Sequence, residues 1–82
     1  TANATALPIK KVVAEVVATN ATGVILAHNH PYGVALPSPV DKRFTWQLAE
    51  ALRLINVRLL DHIVVADDDF VSMAESGMLD FG

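Results

Sequence analysis

The chain contains no cysteine, so neither a disulfide nor a thiolate metal site is available to it. No apolar run reaches the ~18–20 residues that a membrane-spanning helix needs. Basic residues are the minority: six Lys and Arg stand against nine Asp and Glu, for a net charge of −3 and a pI near 5.4. They are also scattered, as Lys10-Lys11, Lys42-Arg43, Arg53 and Arg58. A nucleic-acid footprint normally shows as a clustered basic patch, so direct nucleic-acid binding by this segment is not favoured, although a longer protein could supply it elsewhere. Internal repeats and low-complexity tracts are absent. No initiator methionine or hydrophobic leader precedes Thr1-Ala2-Asn3-Ala4-Thr5, which reads as the interior of a longer protein. The compartment expected is the cytoplasm.

What the chain does have is apolar content. Of its 82 residues, 52% are hydrophobic, slightly more than a typical globular share. A chain of this length buries a limited core, so part of that apolar surface is expected to be covered by further chain or by a partner. Pro8 opens a segment in which Ile9, Val12, Val13, Val16 and Val17 recur at helical spacing, and Asn20-Ala21-Thr22-Gly23 reads as its exit. Gly23 to His28 is a short continuous apolar run, expected to be a buried and central strand. Residues 31–37 form a loop punctuated by two prolines and a glycine.

Ser38-Pro39-Val40-Asp41 is a strong helix start, with Ser at the N-cap, Pro at the first position and an acid at the third. The helix is expected to run to about Ile55, with Val40, Phe44, Leu48, Ala51 and Ile55 on its buried stripe. Trp46 falls about 200° from Phe44 and is expected outside the main core. Arg58 to Ala66 is a second strand with Asp61 and His62 inside it. Strand, crossover helix and strand together suggest a parallel βαβ unit. Asp67-Asp68-Asp69 reads as a solvated turn, Phe70 to Met73 as a short strand, and Met73 to Gly77 as a helical turn.

Three residues concentrate the chemistry. Alternation along an extended backbone puts His28 and His30 on one side, at a strand end, where α/β proteins tend to keep their sites. Asp41 opens the next helix, and the intervening loop can fold it back onto the two imidazoles. Two His nitrogens and one carboxylate oxygen suit Zn²⁺ and leave a fourth position open, the pattern of a catalytic zinc. Asp41 has a competing use as a helix cap, which the Ser-Pro-Val-Asp segment alone favours. Ser38 has two uses as well: N-cap, or hydrogen-bond donor to an oxyanion. His62 reads as a hydrogen-bonded core histidine that could also orient a ligand. Tyr32, in the loop after the histidines, is a candidate for contact with a substrate.

His28-Asn29-His30-Pro31, six residues, Ser38, two residues and Asp41 match the H-x-H-P-x6-S-x2-D core of the JAMM (JAB, MPN+) metalloprotease motif. With Leu26-Ala27 before it, Pro37-Ser38-Pro39-Val40-Asp41 and Leu59-Leu60-Asp61-His62-Ile63-Val64, the whole chain resembles the bacterial RadC family, which carries a JAMM domain and is named for DNA repair. The resemblance implies an α/β, three-layer, cytidine-deaminase-like JAB/MPN domain over residues 1–82, truncated at its N-terminus to a helix-strand-helix-strand core. It implies Zn²⁺ on His28, His30 and Asp41, Ser38 as the oxyanion donor, and a turn shaped by Pro31. The expected activity is hydrolysis of peptide or isopeptide bonds in a protein substrate. The alternative is a DNA-repair accessory or interaction module with a vestigial metal site. JAMM enzymes also use a general-base glutamate upstream of the first helix. Glu15, Glu50 and Glu75 do not match it, so this segment alone is expected to bind metal without catalysing. Missing strands would leave a sheet edge prone to self-association. Zinc deaminases are set aside because they need H-x-E and cysteines, and barrel hydrolases because they need several times this length.

Overall fold

A computed structural model describes residues 8–30 and 33–79. Helix α1 (Ile9–Thr19) leads into strand β1 (Gly23–Asn29), helix α2 (Pro39–Arg53), strand β2 (Arg58–Ala66) and strand β3 (Asp69–Ser72). The sheet order is β1-β2-β3, with β1 and β2 parallel and β2 and β3 antiparallel. The mixed α/β core expected from the sequence is therefore present, and the short strand expected at Phe70 to Met73 is β3, which closes a hairpin with β2. Asp67 takes the left-handed conformation (φ 53°) that a two-residue hairpin turn demands, and Asp tolerates it.

Pro8 sits at the N-cap of α1 rather than inside its first turn, and Asn20 ends the helix at φ 55° with its N–H on the carbonyls of Val16 and Val17. Residues with β-branched side chains weaken this helix intrinsically, so packing holds it. Val12 and Val16 are buried with Phe44, Leu48 and Leu52 of α2 and with Val57, and Val24, Leu26 and Leu59 of the sheet close the cluster. Val17, expected on the inner side, is 65% exposed. The inner stripe of α2 is also turned from the expected one. Asp41, Phe44, Thr45, Leu48 and Leu52 are buried, whereas Val40 and Ile55 are exposed. The start of α2 is fixed by polar groups, and turning Asp41 and Thr45 inward carries Val40 outward. Trp46 does lie outside the main core, with its indole N–H on the Met78 carbonyl at 3.0 Å. That carbonyl belongs to the hydrogen-bonded turns of residues 73–79, which stand where a helical turn was expected.

Strand β1 departs from expectation. Among the described residues it is an edge strand, not a central one, and its burial alternates. Both helices cover one face of the sheet. On the other face Ile25, Leu60 and Phe70 remain exposed, so an apolar run on both faces does not here mean cover on both. Two of the three layers implied by the resemblance are thus formed by the described residues. No helix among them is long and apolar enough to cross a membrane.

One irregularity positions the site. The β1–β2 register skips a residue, pairing Val24 with Leu59 but Ile25 with Asp61, so that Leu60 is an extra residue in β2. Such a bulge reverses which side chains face inward from that point on. Leu59 packs on the helix side before it, and His62, Val64 and Ala66 are the buried residues after it. Without the bulge, His62 would point to the uncovered face.

Candidate metal centre

Leu26 is packed against the core, and two-residue alternation carries its side of β1 on through His28 to His30 at the carboxyl end of the strand. The backbone N–H of His30 donates to the Val65 carbonyl at 2.7 Å, which anchors that end to β2. The loop then passes close to the β2–β3 hairpin, where a Cβ on Gly33 would come within 2.6 Å of Asp67 Oδ2. Ala35 and Pro37 are buried, and the chain enters α2 at Ser38.

The two uses of Asp41 turn out to be compatible. Its Oδ2 accepts the Ser38 N–H at 2.8 Å, while its own N–H donates to Ser38 Oγ at 3.0 Å, closing a capping box. The same buried carboxylate faces the histidines, with Oδ2 3.0 Å from His30 Nε2 and Oδ1 3.5 Å from His28 Nε2. The two imidazoles meet edge-on with centroids 4.8 Å apart. One ligand atom from each of His28, His30 and Asp41 lies within 4.8 Å of the others, and no glutamate among the described residues joins the group.

Two observations show that these residues fit a metal ion. His28 Nε2 is buried without a hydrogen-bond partner, an arrangement that is costly unless something else satisfies it. His30 Nδ1 lies 3.0 Å from the Val34 carbonyl, which can only accept, so that nitrogen carries the ring proton. His30 Nε2 lies 3.0 Å from the Asp41 carboxylate, a contact that a cation or a proton between the two makes favourable. Holding the second ring nitrogen on a carbonyl is a common way to orient a metal-binding histidine.

His62 lies behind the centre, fully buried. Its Nε2 is 2.7 Å from His28 Nδ1 and its Nδ1 is 2.5 Å from Thr45 Oγ1. Neighbouring Asp61 is used differently. It accepts from the N–H groups of His62 and Ala74 and from the Ser72 hydroxyl, tying the segment after β3 to β2.

Protonation follows from these surroundings. Burial raises the Asp41 pKa, but the hydrogen bonds from Ser38 and His30 and the nearby His28 outweigh it, and the carboxyl ends below its ordinary range. Burial pushes His28 down, opposed by Asp41 and aided by His30. Burial and the neighbouring His28 push His62 from 6.5 to about 4. Between those two values the unfolded chain binds a proton that folded His62 does not, so stability falls as pH drops from 6.5 toward about 4 and the fall flattens below that. In chelator-treated protein, the urea midpoint is expected to decline over this window, and His62→Gln to shrink the decline. An unchanged slope in the variant would remove His62 as its source.

The sequence-based residues His28, His30, Asp41 and Ser38 are thus brought together. Pro31 and Tyr32 lie outside the described residues. Asp67-Asp68 form the hairpin turn, with Asp69 opening β3. Two participants were not anticipated, Thr45 and the Val34 carbonyl. The signal for Thr45 was available, since it lies four residues after Asp41 and so on the same helix face. Nothing in the sequence marks a backbone carbonyl.

A parallel strand–helix–strand unit with a two-histidine, one-carboxylate cluster at the carboxyl end of its first strand defines an α/β domain with a group of side chains that could hold a metal. Residues 1–78 match the RadC-like JAB domain, and the chain belongs to that family. It is 53% identical over 70 residues to a UPF0758 protein of Cellvibrio japonicus, covering 85% of this chain and 31% of that protein. A UPF0758 protein of Halorhodospira halophila is 48% identical over 79 residues, 96% of this chain and 35% of that one. The chain therefore spans about a third of the length of the curated relatives it matches.

Proposed function

We propose that the protein carrying this domain is a zinc-dependent hydrolase of peptide or isopeptide bonds, acting on a protein substrate in the cytoplasm. The observation that supports this most is the convergence of one ligand atom from each of His28, His30 and Asp41 within 4.8 Å, with His28 Nε2 buried and lacking a hydrogen-bond partner. In this reading those three residues hold Zn²⁺, whose chemistry when bound is that of a Lewis acid that acidifies water and polarises a carbonyl.

The chain's own groups do the rest. The Val34 carbonyl fixes the His30 ring, and the Ser38 N–H holds one oxygen of Asp41. Ser38 Oγ accepts the Asp41 N–H, which leaves its own hydroxyl proton free to donate to an oxyanion. The proton acceptor for water is assigned to a glutamate in another part of the longer protein. The second reading, a DNA-repair accessory or interaction module with a vestigial metal site, draws on the absence of a glutamate from this centre among the described residues.

The test uses full-length protein loaded with zinc and a broad panel of peptide and isopeptide substrates. Chelator-sensitive cleavage is expected, with Ser38→Ala lowering kcat by roughly 100- to 1000-fold while zinc stays bound. Zinc-loaded wild-type protein that cleaves nothing would overturn the hydrolase reading in favour of the interaction module.

A further inference from the structure

We infer that Thr45 and His62 form a proton-ordered relay that fixes His28 in the one tautomer able to ligate a metal; this deepens the proposed metal site and rests on it. The chain of contacts runs from the α2 backbone to the centre. Thr45 Oγ1 is 2.7 Å from the Asp41 carbonyl, one helical turn back. A carbonyl only accepts, so the hydroxyl proton goes there. The hydroxyl oxygen, 2.5 Å from His62 Nδ1, is then an acceptor, and His62 carries its proton on Nδ1. Neutral His62 therefore presents a bare Nε2 2.7 Å from His28 Nδ1, so His28 donates from Nδ1. The last consequence is a bare His28 Nε2, the buried atom without a hydrogen-bond partner, facing Asp41 and His30.

Reversing the order is the only other way to make both imidazole contacts with neutral rings. Thr45 would donate to His62 Nδ1, His62 would donate from Nε2 to His28 Nδ1, and His28 Nε2 would carry the proton. That state blocks the metal position and forfeits the 2.7 Å bond to the Asp41 carbonyl. The carbonyl thus selects between two tautomer chains. The selection links the two ends of one residue, because the backbone of Asp41 orders the protons and its side chain faces the site they prepare. Thr45 is wholly buried and so is His62, which keeps both away from bulk solvent. Thr45 and His62 act through His28 and are positioning residues.

The experiment combines two readouts on the full-length protein. Nitrogen-15 NMR of labelled histidines, in chelator-stripped protein, reads the tautomers. Titration with Zn²⁺ reads affinity. Wild type and Thr45→Ser are expected to show His28 protonated on Nδ1. Thr45→Val is expected to populate the Nε2-protonated form and to weaken zinc binding by roughly 10- to 100-fold, the usual effect of removing a group that orients a metal ligand, with Thr45→Ser restoring both. His28 protonated on Nε2 in wild type would overturn the inference, and that spectrum needs no variant to fold. So would Thr45→Val with unchanged tautomer and unchanged affinity. Wild type that shows the expected tautomer yet binds no zinc would sink the metal reading and leave the relay standing.

Discussion

Replacing Asp41 with alanine is expected to abolish zinc binding and to destabilise the fold at the same time. The two losses have different origins, and Asp41→Asn separates them. Alanine removes the anionic ligand and also the acceptor for the Ser38 N–H. Losing the reciprocal half of a capping box, together with a negative charge at a helix N-terminus, costs about 1 kcal/mol. Asparagine keeps an acceptor oxygen for Ser38 and discards the charge, so its urea midpoint is expected close to wild type. Its zinc affinity is expected to fall by at least ~100-fold, because removing a ligand should exceed the 10- to 100-fold effect of removing a group behind one. Calorimetric zinc titration and urea denaturation of the three proteins give both numbers. Asparagine with wild-type affinity would mean that the carboxylate serves the helix alone.

Leu48→Ala is expected to cost about 2–5 kcal/mol, the range for truncating a fully buried leucine. Leu48 has no exposed surface and belongs to the cluster joining α1, α2 and the sheet. In a chain this short, where total stability is on the order of 5–15 kcal/mol, such a loss leaves a large unfolded population. Val40→Ala, one residue before Asp41, is expected within about 0.5 kcal/mol of wild type because Val40 is 53% exposed. Equal costs at the two positions in urea melts would contradict the burial of this helix face. Because His28 is reached through Thr45 on α2, Leu48→Ala is also expected to weaken zinc binding at temperatures where it still folds.

Much of this architecture was legible from local chemistry. Ser38-Pro39-Val40-Asp41 announced α2, since capping depends only on neighbours along the chain. Arg58 to Ala66 was legible as a strand, and the His28, His30 and Asp41 grouping followed from alternation and motif spacing. What was not legible depended on the third dimension. The expected stripe of α2 followed hydrophobicity, and Val40 and Ile55 were assigned inward. The observed stripe follows the requirement that Asp41 and Thr45 reach the histidines. An uninterrupted apolar run could not reveal that β1 is an edge strand among the described residues, because hydrophobicity records what a face can bury and not what covers it. The bulge at Leu60 was equally hidden. Strict alternation from Leu59 would have turned His62 away from His28, and only the pairing register reveals the extra residue.

The central claim is that His28, His30 and Asp41 hold a metal ion. The most direct measurement is an anomalous-difference map at the zinc absorption edge, from crystals of full-length protein grown with equimolar zinc. The account predicts one strong peak bounded by His28 Nε2, His30 Nε2 and an Asp41 carboxylate oxygen, at the ~2.0–2.2 Å distances of zinc coordination. A well-ordered site with no peak there, and His28 Nε2 instead hydrogen-bonded within the protein, would contradict it.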